Sequence, residues 1–250
     1  MISPTPPAPS ALGTALPTAL TLWPLTGLRV VSGDLELRYL DDPLLFQLAE
    51  LAGDGIHAPE AMPFNAPWSR GTPQEIARSV LTYQWSARSR ITPQEWTLEL
   101  AVIRDGEVLG VQSMVTKDFP VTGQVETGSW LGLRHQGAGV GTRMRLMILY
   151  LAFEGLGAQA ATTSAFEDNV ASNGVTRKIG YQPDGREVVA REGAATGSLR
   201  YRLERSDWEN RADALRPEVT LHGVDGVREL LGVGSRDAGD AQVTTTTAAS

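Results

Sequence analysis

The 250-residue chain contains no cysteine, which removes disulfides, cysteinyl metal sites and every thiolate-nucleophile mechanism. Histidine is almost as scarce. His57, His135 and His222 stand too far apart for zinc-ligand spacing, so no metal is expected. Basic residues are outnumbered, with 22 Lys plus Arg against 29 Asp plus Glu and a net charge of −7. Coating nucleic acid or an anionic membrane calls for the opposite sign, so neither is an expected partner. No run approaches the ~20 apolar residues of a membrane span. A cytoplasmic protein is expected, with chemistry from carboxylates, hydroxyls, backbone amides or a borrowed co-substrate.

What is present divides into tails and a centre. Met1 to Pro24 is rich in Pro, Ala and Thr and has no Lys or Arg before Arg29. It reads as a flexible leader, residues 1–28, rather than a signal peptide. Residues 207–250 read as a C-terminal extension with one short helix over 221–232, disordered from about 236. Trp208 is expected to anchor the exit from the central domain.

The centre mixes periodicities. Leu35 to Tyr39 alternates as a strand, and Asp41 and Asp42 offer caps for a helix through Leu44, Leu45, Leu48 and Leu51. Thr72-Pro73-Gln74-Glu75 is a capping-box start for a helix to about Arg88. Trp96–Arg104 and Glu107–Thr116 flank the tight-turn pair Asp105-Gly106. A third strand over Gln124–Leu133 leads through a glycine-rich turn into an apolar helix over Val140–Leu156. A strand at Ala160–Phe166, a helix at Asn169–Lys178 and two further strands close the pattern. Strand runs with inserted helices indicate an α+β domain over 29–206.

The glycine turn, His135-Gln136-Gly137-Ala138-Gly139-Val140-Gly141-Thr142, lies between a strand and a helix. Glycines let the backbone approach a bulky anion, and free N–H groups at the helix start point at it. A tight strand-to-helix turn is the alternative. A Walker loop needs Gly-Lys-Ser/Thr, and no lysine is here. A dinucleotide fingerprint counted from Gly137 needs glycine where Thr142 stands.

The spacing Gln136-x-x-Gly139-x-Gly141 resembles the acyl-CoA signature of the GNAT acetyltransferase superfamily. Asp168-Asn169-Val170-Ala171-Ser172 followed by Arg177-Lys178-Ile179-Gly180-Tyr181 resembles a conserved block of its RimJ/RimL-like branch. Glu126-Thr127-Gly128-Ser129-Trp130-Leu131 resembles that branch's fourth strand. The resemblance implies an α+β GNAT fold: a mixed, mostly antiparallel twisted sheet of about seven strands, flanked by helices and splayed between strands 4 and 5. It implies acetyl-CoA as acyl-donor co-substrate. The pyrophosphate would meet the backbone of Gln136, Gly137, Gly139, Val140, Gly141 and Thr142. Trp130, Leu131 and Leu133 would run beside the pantetheine arm, with a backbone N–H near Leu131 polarising the acyl carbonyl. Asn169 would bond the pantetheine arm or an ordered water, and Ser172 would protonate the departing thiolate, with an ordinary helix-surface hydroxyl as the alternative for Ser172. Arg143 departs from the pattern, and either a CoA phosphate or water is its expected neighbour.

An amine acceptor must also lose a proton. Glu126 shares a strand face with Trp130 and is the first candidate base, with a solvated strand-edge carboxylate as the alternative. His57, in a loop where acceptor pockets of this family form, is the second, with a purely structural loop histidine as the alternative. Phe64 and Trp130 are expected beside the acceptor, and Trp68, Trp85 and Trp96 are further candidates for its wall. The expected function is N-acylation of a primary amine by direct transfer in a ternary complex. The acceptor is an amine-bearing small molecule or a protein N-terminus, and a homodimer is one candidate assembly, with the sequence leaving the oligomeric state open. The alternative is a non-catalytic CoA-binding sensor or interaction module. Without cysteine, the acyl-cysteine route of arylamine acyltransferases is excluded.

Overall fold

A computed structural model describes residues 18–234. The expected leader up to residue 17 and the expected disorder from 236 lie outside the described residues. Nine strands form one sheet: β1 (Arg29–Ser32), β2 (Leu35–Tyr39), β3 (Glu95–Arg104), β4 (Glu107–Lys117), β5 (Gln124–Leu131), β6 (Ala160–Phe166), β7 (Gln182–Arg191), β8 (Ala194–Glu204) and β9 (Thr220–His222). Their order is β7-β8-β6-β5-β4-β3-β2-β1-β9, and every pairing is antiparallel except β5 with β6. Nine strands replace the expected seven. The surplus comes from β1, which continues the hairpin N-terminal to β2, and from β9, which pairs with β1 at the edge.

Helices cover both faces. On one lie α1 (Asp42–Asp54) and α2 (Pro73–Ser89). The Asp41 side chain caps α1 by accepting from the Leu44 N–H at 3.0 Å. Thr72 and Glu75 close the full capping box of α2, and such an N-cap contributes ~1 kcal/mol. Leu44, Leu45, Leu48 and Leu51 of α1 pack on Ala101, Ile103, Val108 and Val111 of β3 and β4. On the other face, α3 (Val140–Tyr150) drives Met144, Met147 and Ile148 into a larger core with Leu37, Leu98, Leu100 and Met114. Its last apolar stretch, Leu151–Gly155, widens into a π-helical turn rather than continuing as an ordinary helix. Beside α3 lies α4 (Val170–Ile179), and α5 (Val224–Leu230) closes the far end.

Both flanking segments pack against this domain. Leu25 and Leu28, placed by sequence in the flexible leader, have no exposed surface. Trp208 does anchor the exit: it is 1% exposed, stacks on Phe153 at 5.2 Å and donates Nε1–H to Glu154 at 2.8 Å. The segment after it adds a strand as well as the expected helix. Val227 and Leu231 are fully buried, in a segment that packs against the Pro24–Gly27 turn and the Leu151–Gly155 π-turn and so removes apolar surface from water.

Candidate active site

After β5 the chain makes a 3₁₀ turn (Leu133–His135) and passes Gly137 and Gly139 at φ of +75° and +79° into α3. Side chains rarely adopt that left-handed region, so glycine is required at both. A Cβ placed on Gly137 or Gly139 would meet no atom within 4 Å, and one on Gly141 only the Val175 methyl at 3.9 Å. The turn therefore leaves open space beside its backbone, which a large anion could approach. Helix α3 begins at Gly139 with no side-chain cap and no acidic residue in its first turn. Its leading N–H groups, on Val140, Gly141 and Thr142, carry the positive end of the helix dipole.

Two expectations need correction here. The Gln136 N–H donates to the Leu133 carbonyl at 3.3 Å, and its side-chain amide donates to Ile56 and Leu131 carbonyls at 2.8 and 2.9 Å. Gln136 thus braces the turn against β5 and the 55–70 loop; it is spent before any phosphate arrives. Arg143 is held by protein groups, with about a third of its side chain left exposed. It pairs with Asp34 at 2.6 Å and donates to the Ser32 carbonyl at 2.8 Å, because the β1–β2 turn lies beside the first turn of α3. The Arg143 guanidinium holds the Asp34 carboxyl below its usual range. Leu133 lies at the cradle rim, half exposed, with its N–H given to the Gly55 carbonyl at 3.0 Å.

The cradle opens onto a wedge between β5 and β6. These strands pair only at Gln124–Ala160, Val125–Ala161 and Glu126–Thr162, and then part. They are the fourth and fifth strands of the order expected from sequence. Arg145, 5% exposed on α3, fills the gap behind them and donates to Ser129 on β5 at 3.2 Å and Thr163 on β6 at 3.3 Å. Burying a guanidinium costs several kcal/mol, so this bridge is a deliberate spacer rather than routine packing. On the β4 side, the Gly132 N–H donates to the Leu109 carbonyl at 2.9 Å. Successive N–H groups of a strand point to opposite edges, so those of Leu131 and Ser129 point into the wedge.

Asn169 and Ser172 meet at the start of α4. The Asn169 Oδ1 accepts from the Ser172 N–H at 3.1 Å, so Asn169 is the helix cap. Its amide nitrogen is left for another partner. The Ser172 hydroxyl makes no hydrogen bond to a described residue. The neighbouring Asn173 is fully buried and ties α4 to β6 and β8 through Phe166 and Tyr201.

On the opposite face, towards α1 and α2, Glu126 and Trp130 flank Gly128 along β5, with Glu126 exposed. Trp130, Trp68, Phe64 and His57 form a chain of ring contacts at 5.7, 4.8 and 5.9 Å. His57 is fixed by the Ala58 carbonyl at 2.8 Å and by Ser69 Oγ at 2.7 Å. Trp85 and Trp96 do not join this wall: Trp85 is exposed beside Asp42, and Trp96 lies in the other core against Phe119. The tip of the β7–β8 hairpin closes the same side. Arg70 and Glu192 pair across it, and Arg191 donates to the Met62 carbonyl at 3.3 Å while pairing with Asp168 at 2.7 Å.

Three side chains absent from the sequence-based site belong to this neighbourhood: Arg145, Glu99 and Ser113. Glu99 is 7% exposed on β3 and accepts from Ser113 at 2.8 Å, Tyr83 at 3.1 Å and Gln84 at 3.2 Å. Burial pushes its carboxyl pKa up. Two of the three interrupt an apolar run (Arg145 in Met144–Leu149, Glu99 in Leu98–Ile103), and that interruption was the available signal.

Comparison with known proteins agrees with this geometry. The acetyltransferase (GNAT) domain family matches residues 35–182, more than half of the chain. Among solved structures, Mycobacterium smegmatis RimJ in complex with CoA-disulfide aligns with a TM-score of 0.61 at 17% identity, covering 76% of this chain and 90% of that one. RimL, a ribosomal L7/L12 alpha-N-protein acetyltransferase in complex with coenzyme A, aligns at 0.57 and 19%, covering 71% and 97%. A GCN5-related N-acetyltransferase from Brucella melitensis aligns at 0.59 and 19%, covering 75% and 83%. At these identities the likeness is one of fold. The family match, the glycine cradle and the wedge together make the chain a member of the GNAT acetyltransferase family, an acetyl-CoA-dependent N-acetyltransferase.

Proposed function

We propose that the protein moves the acyl group of acetyl-CoA directly to a primary amine, with donor and acceptor bound together. The observation that carries this reading is an open glycine turn at the start of α3 that follows directly on β5, the strand that parts from β6. The space beside Gly137 and Gly139 is open, and the Leu131 N–H points away from β4. Acetyl-CoA, when bound, supplies a thioester whose carbonyl carbon accepts a nucleophile. The backbone of Gly137, Gly139, Val140, Gly141 and Thr142 holds its pyrophosphate, and Trp130, Leu131 and Leu133 border its arm. The Leu131 N–H polarises the carbonyl; one such donor is worth about 10²–10³ in kcat. Asn169 offers its amide nitrogen to the arm, and Ser172 gives a proton to the leaving sulfur.

The acceptor comes from the α1–α2 face, between His57, Phe64, Trp68 and Trp130. Glu126 draws its ammonium to the wedge and takes a proton from it. RimL acts on a protein N-terminus, and an N-terminal or small-molecule amine fits the same approach here. The test is an acceptor screen with mass detection of the acylated product, run on wild type and Glu126→Gln. Acylation by wild type, slowed about 10²-fold by Glu126→Gln with CoA affinity kept, supports the reading. CoA binding with no acylated amine reduces the protein to a CoA-binding module.

A further inference from the structure

An acceptor ammonium must shed two protons to become an amide nitrogen, and Glu126 accounts for one. The sheet offers a second outlet. Glu99 on β3, Ser113 on β4 and Gly128 on β5 are direct cross-strand neighbours, so their side chains share the acceptor face. A Cβ on Gly128 would meet nothing within 4 Å, so an incoming nitrogen can descend to the sheet between Glu126 and Trp130. Ser113 stands one strand away, with Glu99 behind it at 2.8 Å. Glu99 is the one buried carboxylate among the described residues, and its partners are two hydroxyls and an amide, with no cation. A packing role alone would favour an apolar residue there.

We propose that Ser113 and Glu99 form a proton relay for the acceptor. This rests on the N-acyl transfer proposed above and adds a route for its second proton. As the nitrogen bonds to the carbonyl carbon, the carbon–sulfur bond breaks and its electron pair leaves with sulfur. The proton still on nitrogen passes to Ser113 Oγ, and the Ser113 hydroxyl proton passes to Glu99. Ser172 protonates the sulfur and is resupplied from water. Nitrogen thus loses two protons, sulfur gains one, and one reaches solvent when Glu99 and Glu126 are reset. The charged and titratable groups facing Glu99 are few. Tyr83 comes from α2, and Glu126 from β5 beyond Ser113. Arg38 on β2 is held by Glu36, and Arg88 on α2 by Asp42; β4 presents Val111, Ser113 and Val115, and at its end Lys117 opposite Glu95 of β3.

Three variants test the relay in the whole protein: Glu99→Gln, Ser113→Ala and Ser113→Thr. Glu99→Gln and Ser113→Ala are each expected to lower kcat by about 10²-fold and to leave the CoA dissociation constant within twofold. The pair combined should cost no more than either alone. Ser113→Thr, which keeps a hydroxyl, should recover at least tenfold over Ser113→Ala. The acid limb of the kcat profile should move to lower pH in Glu99→Gln. In the unliganded protein, an infrared carboxyl band lost in Glu99→Gln should titrate above the ordinary carboxylate range. Wild-type kcat and pH profile in Glu99→Gln overturn the relay while leaving the N-acyl transfer intact. Equal losses of kcat and CoA affinity make the cluster structural and overturn it too. No acylation of any amine by wild type overturns both.

Discussion

Arg70 and Glu192, 122 positions apart in sequence, form a two-pronged ion pair at 2.8 and 3.1 Å. It ties the loop that carries Phe64 and Trp68 to the tip of the β7–β8 hairpin, across the acceptor side of the wedge. Both side chains are more than a third exposed, so the pair adds little stability and its effect is on acceptor geometry.

Breaking that clasp should therefore raise the acceptor KM several-fold in Glu192→Gln or Arg70→Ala, with the CoA dissociation constant unchanged. Raising salt should do the same to wild type and not to the variants. The Arg70 hydrogen bond lowers the Glu192 pKa, so the clasp persists at neutral pH and opens only as pH falls through that depressed value. Steady-state kinetics against salt and pH check each part; identical salt dependence in wild type and variants would remove the clasp from acceptor binding.

Gly139 combines a left-handed backbone with an empty cradle. Gly139→Asp should abolish CoA binding, whereas Gly139→Asn, similar in size and tolerant of the same φ, should weaken it far less. The difference isolates the negative charge set against the helix start. Calorimetric titration with CoA reads it, and equal losses would assign the effect to bulk alone.

Asn169 has two separable roles. Asn169→Ala removes the α4 cap and should cost ~1 kcal/mol of stability, whereas Asn169→Asp keeps the cap. Both variants lose the amide nitrogen offered to the pantetheine arm, so both should bind CoA more weakly. Ser172→Ala should instead lower kcat about tenfold and leave stability and CoA affinity as they were. Thermal melts beside CoA titrations separate the cases.

Glu99 carries a stability signature as well. Its folded-state pKa is raised by burial, so its contribution is favourable below the unfolded pKa and is lost as pH rises through the folded value. Glu99→Gln should melt at the same or a higher temperature than wild type at pH 8, and gain less on acidification. The orphaned Gln84 Oε1 beside it is available to accept from the new amide. A large fall in melting temperature at pH 8 would show that the carboxylate is needed for packing.

Local patterns determined most of the architecture, because the physics behind them is local. The Thr72-Pro73-Gln74-Glu75 box starts its helix where expected, and Asp105-Gly106 turns β3 into β4. The glycine spacing from Gly137 to Gly141 marks the cradle, since a left-handed backbone and a free helix start are written in adjacent residues. Long-range pairing decided the rest. β9 needs β1 as its partner, and Leu25 and Leu28 are apolar residues in a segment whose composition reads as mobile until the sheet is there to receive them. Gln136 looks like a ligand residue in sequence and Arg143 like a neighbour of phosphate or water, and only the nearby carbonyls and Asp34 reveal their protein partners. Glu99 and Ser113 lie in strands that read as plain core, and their chemistry exists only because β3, β4 and β5 bring them into register beside Gly128. Proton transfer depends on distance in space, and strand register sets that distance.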